Sequence, residues 1–124
     1  MRRVFKTKAF ASQTKKSGLT DAALCQAVSE MQAGLVGADL GGGVVKKRVA
    51  LPGRGKSGGA RTLLATNRGS RWFFVFGFAK NERSNVSDIE LEALKMLAHD
   101  LLSLNDSNLD QAVLGGQLME ICND

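Results

Sequence analysis

Residues 44–66 read VVKKRVALPGRGKSGGARTLLAT, and two folds compete for them. Around residues 50–57 (ALPGRGKS) the run nearly matches a phosphate-cradling P-loop, with Ala50 where that motif opens on Gly. A P-loop needs a strand before it and a helix after it, so that N–H groups at the helix N-terminus meet the phosphates. Here Gly58 and Gly59 follow the Lys-Ser pair, and two glycines make a poor first helical turn. The β-branched and apolar RTLLAT comes next, and no later segment reads as a strand ending in the Asp that would complete a nucleotide site. The stretch is therefore read as strand, basic glycine-rich hairpin loop, strand, and an ATP or GTP site is set aside.

The neighbours extend that reading. RWFFVFGFA at residues 71–79 is a third strand, apolar on both faces and so covered on both sides. Simple alternation puts Trp72, Phe74, Phe76 and Phe78 on one face and Phe73 and Val75 on the other. In the first strand it puts Val45, Lys47 and Val49 together, opposite Val44, Lys46 and Arg48. Upstream, RRVF is read as a short edge strand and residues 7–17 as a short helix ended by Gly18. A second helix, capped by Thr20, carries Leu24, Ala27, Val28, Met31 and Leu35 at helical spacing. Downstream, Ser87 and Glu90 mark a capping box. Leu91, Leu94, Met96, Leu97, Leu101 and Leu102 give the following helix a broad apolar side. SNLDQAVLGG reads as one more short helix and QLMEI as a terminal strand. The predicted fold class is α+β, with an N-terminal helical hairpin packed on a small antiparallel sheet of three or four strands, followed by a C-terminal helix.

With 124 residues the chain has room for one domain and one core. It has no apolar run near the roughly 18 residues that span a bilayer. MRRVFKTKAF is basic without an apolar region behind it, so no secretory signal is read. Cys25 and Cys122 stand far apart and, with one His, offer no metal-ligand spacing. They are read as reduced thiols of a cytoplasmic protein, a disulfide being the less favoured alternative. Charge is unevenly spread. Residues 1–83 carry 16 of the 17 Lys and Arg against four acids, a balance of +12. Residues 84–124 carry Lys95 against eight acids, a balance of −7. A basic body of this kind fits a polyanionic partner, nucleic acid ahead of others.

No standard catalytic constellation is visible. His99 is read as a helix-surface residue, and the carboxylates of DIELE as dipole and solubility features. What remains is cationic: Lys46, Arg48, Arg54, Lys56, Arg61, Lys80 and Arg83. If the three strands pair in order, Lys46 and Arg48 face Arg61, with Lys80 near the same end. Pattern alone leaves this cluster either a solvated basic face or a polyphosphate-binding cleft.

The ordered set K-x-R-V (Lys46 to Val49), GKxGGxR (Gly55 to Arg61), the aromatic strand and KNE (Lys80 to Glu82) resembles RelE/HigB toxins of bacterial type II toxin–antitoxin systems, most of all the HigB-like branch. The resemblance covers about residues 3–102. Residues 1–104 are accordingly read as the toxin domain and 105–124 as a C-terminal extension packed on it. It implies a ribosome-dependent mRNA endonuclease in which the RNA 2′-hydroxyl attacks the adjacent phosphate, with no metal and no cofactor. Carried over residue by residue, Lys46 and Arg48 match the basic pair from which a general base would come. Arg61 matches the arginine on the scissile phosphate, and Lys80 the group that stabilises charge or protonates the leaving 5′-oxygen. Arg54, Lys56, Asn81 and Arg83 would contact RNA. Implied partners are a cognate antitoxin of helix-turn-helix, HigA-like type, mRNA on the ribosome, and operator DNA only through the antitoxin complex; no membrane is implied. One departure stands out: RelE carries a tyrosine shortly after the KNE position, and this chain has none, with Ser87 in its place. The competing readings are a ParE-like DNA gyrase inhibitor on the same fold and a non-catalytic RNA- or ribosome-binding module.

Overall fold

The computed structural model describes residues 2–51, 53 and 55–122, with backbone alone for residues 55–58. The chain runs β1 (Arg3–Thr7), α1 (Lys8–Gln13), α2 (Asp21–Gln32), β2 (Ala38–Gly41), β3 (Val44–Leu51), β4 (Gly55–Thr66), β5 (Arg71–Ala79), α3 (Asp88–Leu102), α4 (Asp106–Leu114) and β6 (Leu118–Ile121). The six strands form one mixed sheet in the order β2-β3-β4-β5-β1-β6. β3, β4 and β5 make an antiparallel meander, β1 lies parallel to β5, and β6 runs antiparallel to β1.

The expected three- or four-stranded antiparallel sheet is thus corrected to six mixed strands. RRVF belongs to an interior strand rather than an edge, because Val4 and Phe5 are both fully buried and each serves a different face. β2 lies in the ADLGGG run, which carries no apolar alternation; Gly42 and Gly43, both at positive φ, turn it back into β3.

The expected helical hairpin is also overturned. α1 is only six residues long. It ends where Thr14 turns its hydroxyl back onto the Phe10 carbonyl at 2.9 Å, and the polar Lys15-Lys16 that follow offer nothing to bury. α1 rests on β5 and β1 while α2 rests on β3, so the two helices sit on different strands rather than on each other. Together they cover one face of the sheet, packing Phe10, Leu24, Val28 and Met31 against Val45, Val49, Leu64, Trp72 and Phe74. α3 and α4 cover the opposite face, packing Leu94, Ala98, Leu101 and Leu109 against Phe5, Val44, Leu63 and Phe73. The result is three layers, helices on sheet on helices, which is why β5 is apolar on both sides.

Local signals explain the helices. Thr20, Ser87 and Asn105 each accept a backbone N–H three residues on, and Ser87 with Glu90 completes the capping box. Three members of the expected apolar stripes face solvent instead: Leu35, beyond the end of α2, is 61% exposed, and on α3 Met96 is 71% and Leu97 36% exposed.

A bulge breaks the expected alternation in β5. Leu63 pairs with Phe76 but Leu64 with Phe74, leaving Val75 as the extra residue. Trp72 and Phe74 therefore face α1 and α2, whereas Phe76 and Phe78 join Phe73 and Val75 on the other face. Finally, Cys25 on α2 and Cys122 after β6 form a disulfide, Cα to Cα 5.7 Å, which corrects the reduced-thiol reading. Cys122 is carried to α2 by β6, a short strand whose partner β1 lies more than a hundred residues earlier in the chain.

Candidate functional site

The meander places the cations by register. Arg48 pairs with Arg61, and Arg61 with Phe78; one row further in, Lys46 pairs with Leu63, and Leu63 with Phe76. Lys46, Arg48 and Arg61 therefore share the face of Leu63 and Phe78. Like charges placed directly opposite on neighbouring strands are unfavourable. Among the described residues none of the three has a carboxylate partner to relieve that repulsion. Arg61 is half-buried, and its Nη1 is buried with no hydrogen-bond partner among the described residues. A buried N–H left unpaired costs about 1–3 kcal/mol, a penalty that an incoming oxyanion would remove.

These side chains line a cavity of about 470 Å³. One wall is the loop of residues 35–38; the rest is Lys46, Lys47, Arg48 and Arg61. Among the described residues the lining holds four cations and no acid. The loop is seated closely on β3: a Cβ on Gly37 would stand 2.3 Å from the Lys46 carbonyl oxygen, so only glycine fits there. Lys47 was passed over as a site residue, although alternation sets it on the apolar face between Val45 and Val49. It is buried, and its Nζ donates to the Leu35 carbonyl at 2.9 Å while pairing with Glu30 at 2.9 Å. It acts as a strut between β3 and the cavity wall.

Lys80 lies outside this lining, at the exposed turn that ends β5, one residue beyond the Ala60–Ala79 pair. The turn is closed by Glu82, whose carboxylate accepts the Ala79 N–H at 2.9 Å and whose own N–H donates to the Ala79 carbonyl at 3.0 Å. Asn81 is exposed on the same turn. Arg83 is half-exposed and engaged by the protein's own groups. Its guanidinium lies 5.6 Å from the centroids of both the Phe76 and Phe78 rings and forks onto the Glu90 carboxylate, with one arm at 3.0 Å. Hydrogen bonds from Arg83 and the Ser87 backbone hold the Glu90 carboxyl well below its usual range, at about 2. Arg54 and the side chain of Lys56 lie outside the described residues. The backbone settles the P-loop question nonetheless. Gly55 pairs with Leu51 and the chain continues as β4, so a strand, not a helix, follows the glycine-rich segment.

Trp72 is fully buried, and its indole N–H donates to the Gly69 carbonyl at 2.9 Å, so it offers no surface to a ligand. His99 is exposed on α3, at the far end of that helix from Arg83. Among the described residues no group of three or more His, Cys, Asp or Glu is placed to hold a metal ion, and no helix is long and apolar enough to cross a membrane.

An acid-free cationic cavity on a meander closed by a KNE turn is the setting in which the comparison with known families applies. The model of the RelE toxin of the RelE/RelB toxin–antitoxin system matches residues 2–121. The chain belongs to the RelE toxin family. It is thus a toxin of a toxin–antitoxin system, a class whose members pair with a cognate antitoxin and are generally endoribonucleases that inhibit translation. The match runs into α4 and β6, beyond the span of about residues 3–102 that the motifs alone supported. No curated protein matches the chain.

Proposed function

We propose that this chain is a HigB-like, ribosome-dependent mRNA interferase that cleaves its transcript through the RNA's own 2′-hydroxyl, without a metal. The observation that carries the reading is the buried Nη1 of Arg61, unpaired among the described residues, in a cavity whose charged lining residues are all cations. A phosphodiester fills such a site, and its charge rises in the pentacoordinate transition state, where fixed cations stabilise it most. In the step, the 2′-oxygen bonds to phosphorus and the bond from phosphorus to the 5′-oxygen breaks. The products are a 2′,3′-cyclic phosphate and a 5′-hydroxyl. Arg61 holds a non-bridging oxygen. Lys46, as the neutral amine, receives the 2′ proton while Arg48 stays cationic beside the phosphate, and Lys80 supplies one to the departing 5′-oxygen. Arg54, Lys56 and Asn81 contact the flanking backbone. Arg83 supports the turn that presents Lys80, and its pairing with Glu90 leaves it a smaller share in RNA contact. The partner is a helix-turn-helix, HigA-like antitoxin in the cytoplasm, reaching operator DNA only as the complex.

The test is induction of the wild type and of an Arg61→Ala/Lys80→Ala double variant in a bacterium, with mapping of transcript 5′ ends. Wild type yields new 5′-hydroxyl ends, and the double variant loses cleavage by at least about 100-fold, the scale of removing one transition-state donor. Identical, uncleaved transcripts in both strains would sink the reading. Intact transcripts together with inhibited DNA supercoiling would replace it with a gyrase poison.

A further inference from the structure

The cation cavity has an apolar wall whose backbone is held in place while its side chain is left uncovered. α2 ends in a Schellman motif: Gly34, at φ +98°, donates to the Met31 carbonyl at 3.0 Å, and Leu35 N–H donates to the Glu30 carbonyl at 2.9 Å. That motif commonly buries the residue at Leu35's position against the residue three before the cap. Here that residue is Glu30, whose carboxylate instead holds Lys47. Leu35 is therefore fixed at both backbone groups, its N–H by Glu30 and its carbonyl by Lys47 Nζ, while 61% of its surface stays open. Gly37 then locks the loop against the β3 backbone. An exposed apolar side chain on a fixed backbone beside Arg48 and Arg61 presents an anion site and an apolar surface together.

Resting on the reading of this cleft as an RNA site, we infer that Leu35 forms the nucleobase subsite of the cavity: the base of the nucleotide whose phosphate lies on Arg61 packs against the Leu35 side chain. The volume of about 470 Å³ falls among small-ligand sites, which run from about 300 to 1,000 Å³. Apolar side chains serve as base-packing surfaces where no aromatic ring is at hand. None of the rings at hand competes for the role: the chain has no tyrosine, Trp72 is buried, and Phe76 and Phe78 lie under Arg83.

The experiment measures binding of inorganic phosphate and of the four nucleoside 3′-monophosphates to the wild type, Leu35→Ser and Leu35→Met. Leu35→Ser removes apolar surface without adding charge, and it lies outside α2, so the fold persists. The wild type binds its preferred monophosphate at least about tenfold tighter than phosphate. Leu35→Ser brings the two to near equality, whereas Leu35→Met retains the gap. An unchanged ratio of nucleotide to phosphate affinity in Leu35→Ser overturns the subsite. Transcript 5′-end mapping separates the two readings. If Leu35→Ser cuts the same sites at the same rate as wild type, the subsite falls and the interferase stands. If wild type cuts nothing yet shows a base preference that Leu35→Ser abolishes, the interferase falls and the subsite stands.

Discussion

Glu90 shows how one side chain can be claimed for support. Sequence read it as half of a capping box and as one of several solvating acids. It is both a cap and an ion-pair partner: its Oε1 accepts the Ser87 N–H at 2.8 Å, and its carboxylate receives the fork of Arg83. Its folded pKa of about 2 lies below the ordinary 4.5, so its contribution to stability is complete above the ordinary value. That contribution fades as the pH falls below the ordinary value and is gone once it drops past the folded one. An NMR titration of the Glu90 carboxyl is expected to show a midpoint near 2 in the wild type and a clear upward move in Arg83→Ala, Arg83 being the largest cause of the shift. Coincident curves would mean that the pair does not form in solution. The basic motifs themselves were legible because pairing in order requires only that consecutive strands form a meander, and Lys46, Arg48 and Arg61 do meet on one face. The commitment of Arg83 was not legible, since it depends on Phe76 and Phe78 lying on the face covered by α3, and a bulge decides that.

At the scale of elements, the bulge in β5 is the feature that pattern could not supply. Alternation is a period-two rule, and one extra residue inverts everything after it. Beyond Val75 the inversion turns Phe76 and Phe78 toward α3 and leaves Gly77 facing α1. There a Cβ would stand 2.9 Å from Thr14 Cγ2 and 3.0 Å from Phe10 Cε1. The Gln13 side chain also accepts the Gly77 N–H at 3.2 Å. Gly77 is thus the seat on which the short α1 docks, and overpacking such a contact costs typically about 1–3 kcal/mol. Gly77→Val should lower the stability measured by urea unfolding by that amount and loosen α1 first, seen as faster amide exchange at Phe10 and Thr14. Unchanged exchange there would place the strain elsewhere. Sequence reading placed every element but β2, and β3, β4, β5 and the capped α3 carry the strongest local signals. β2 was missed because glycine-rich strands carry no apolar alternation.

For the whole molecule, what local pattern missed is how the two ends of the chain meet. β1 must leave its neighbours in sequence to lie parallel to β5, and β6 must return across the entire chain to pair with β1. Only long-range burial selects that arrangement. Ile121 completes the core under α1 and α2, and Leu118 the core under α3 and α4. Arg3 at the start of β1 gathers Glu120, Asp106 and Asp110 at 2.7–3.1 Å, which fastens β6 and α4 to the sheet and holds the guanidinium firmly protonated. The acidic tail thereby neutralises Arg3 and Arg71 at the end of the sheet remote from the cleft, while Lys46, Arg48 and Arg61 have no carboxylate partner among the described residues. The Cys25–Cys122 bond closes this arrangement across 97 residues of sequence. Cross-linking a loop of that length stabilises mainly by restricting the unfolded chain, typically by about 2–4 kcal/mol. A Cys25→Ser/Cys122→Ser variant should therefore unfold at lower denaturant by that free energy, with an m-value raised by the more expanded unfolded state. Thiol titration of the unreduced, denatured wild type should find no free cysteine. Two reactive thiols together with equal stability of the variant would show that β6 is held by Arg3 and core burial alone.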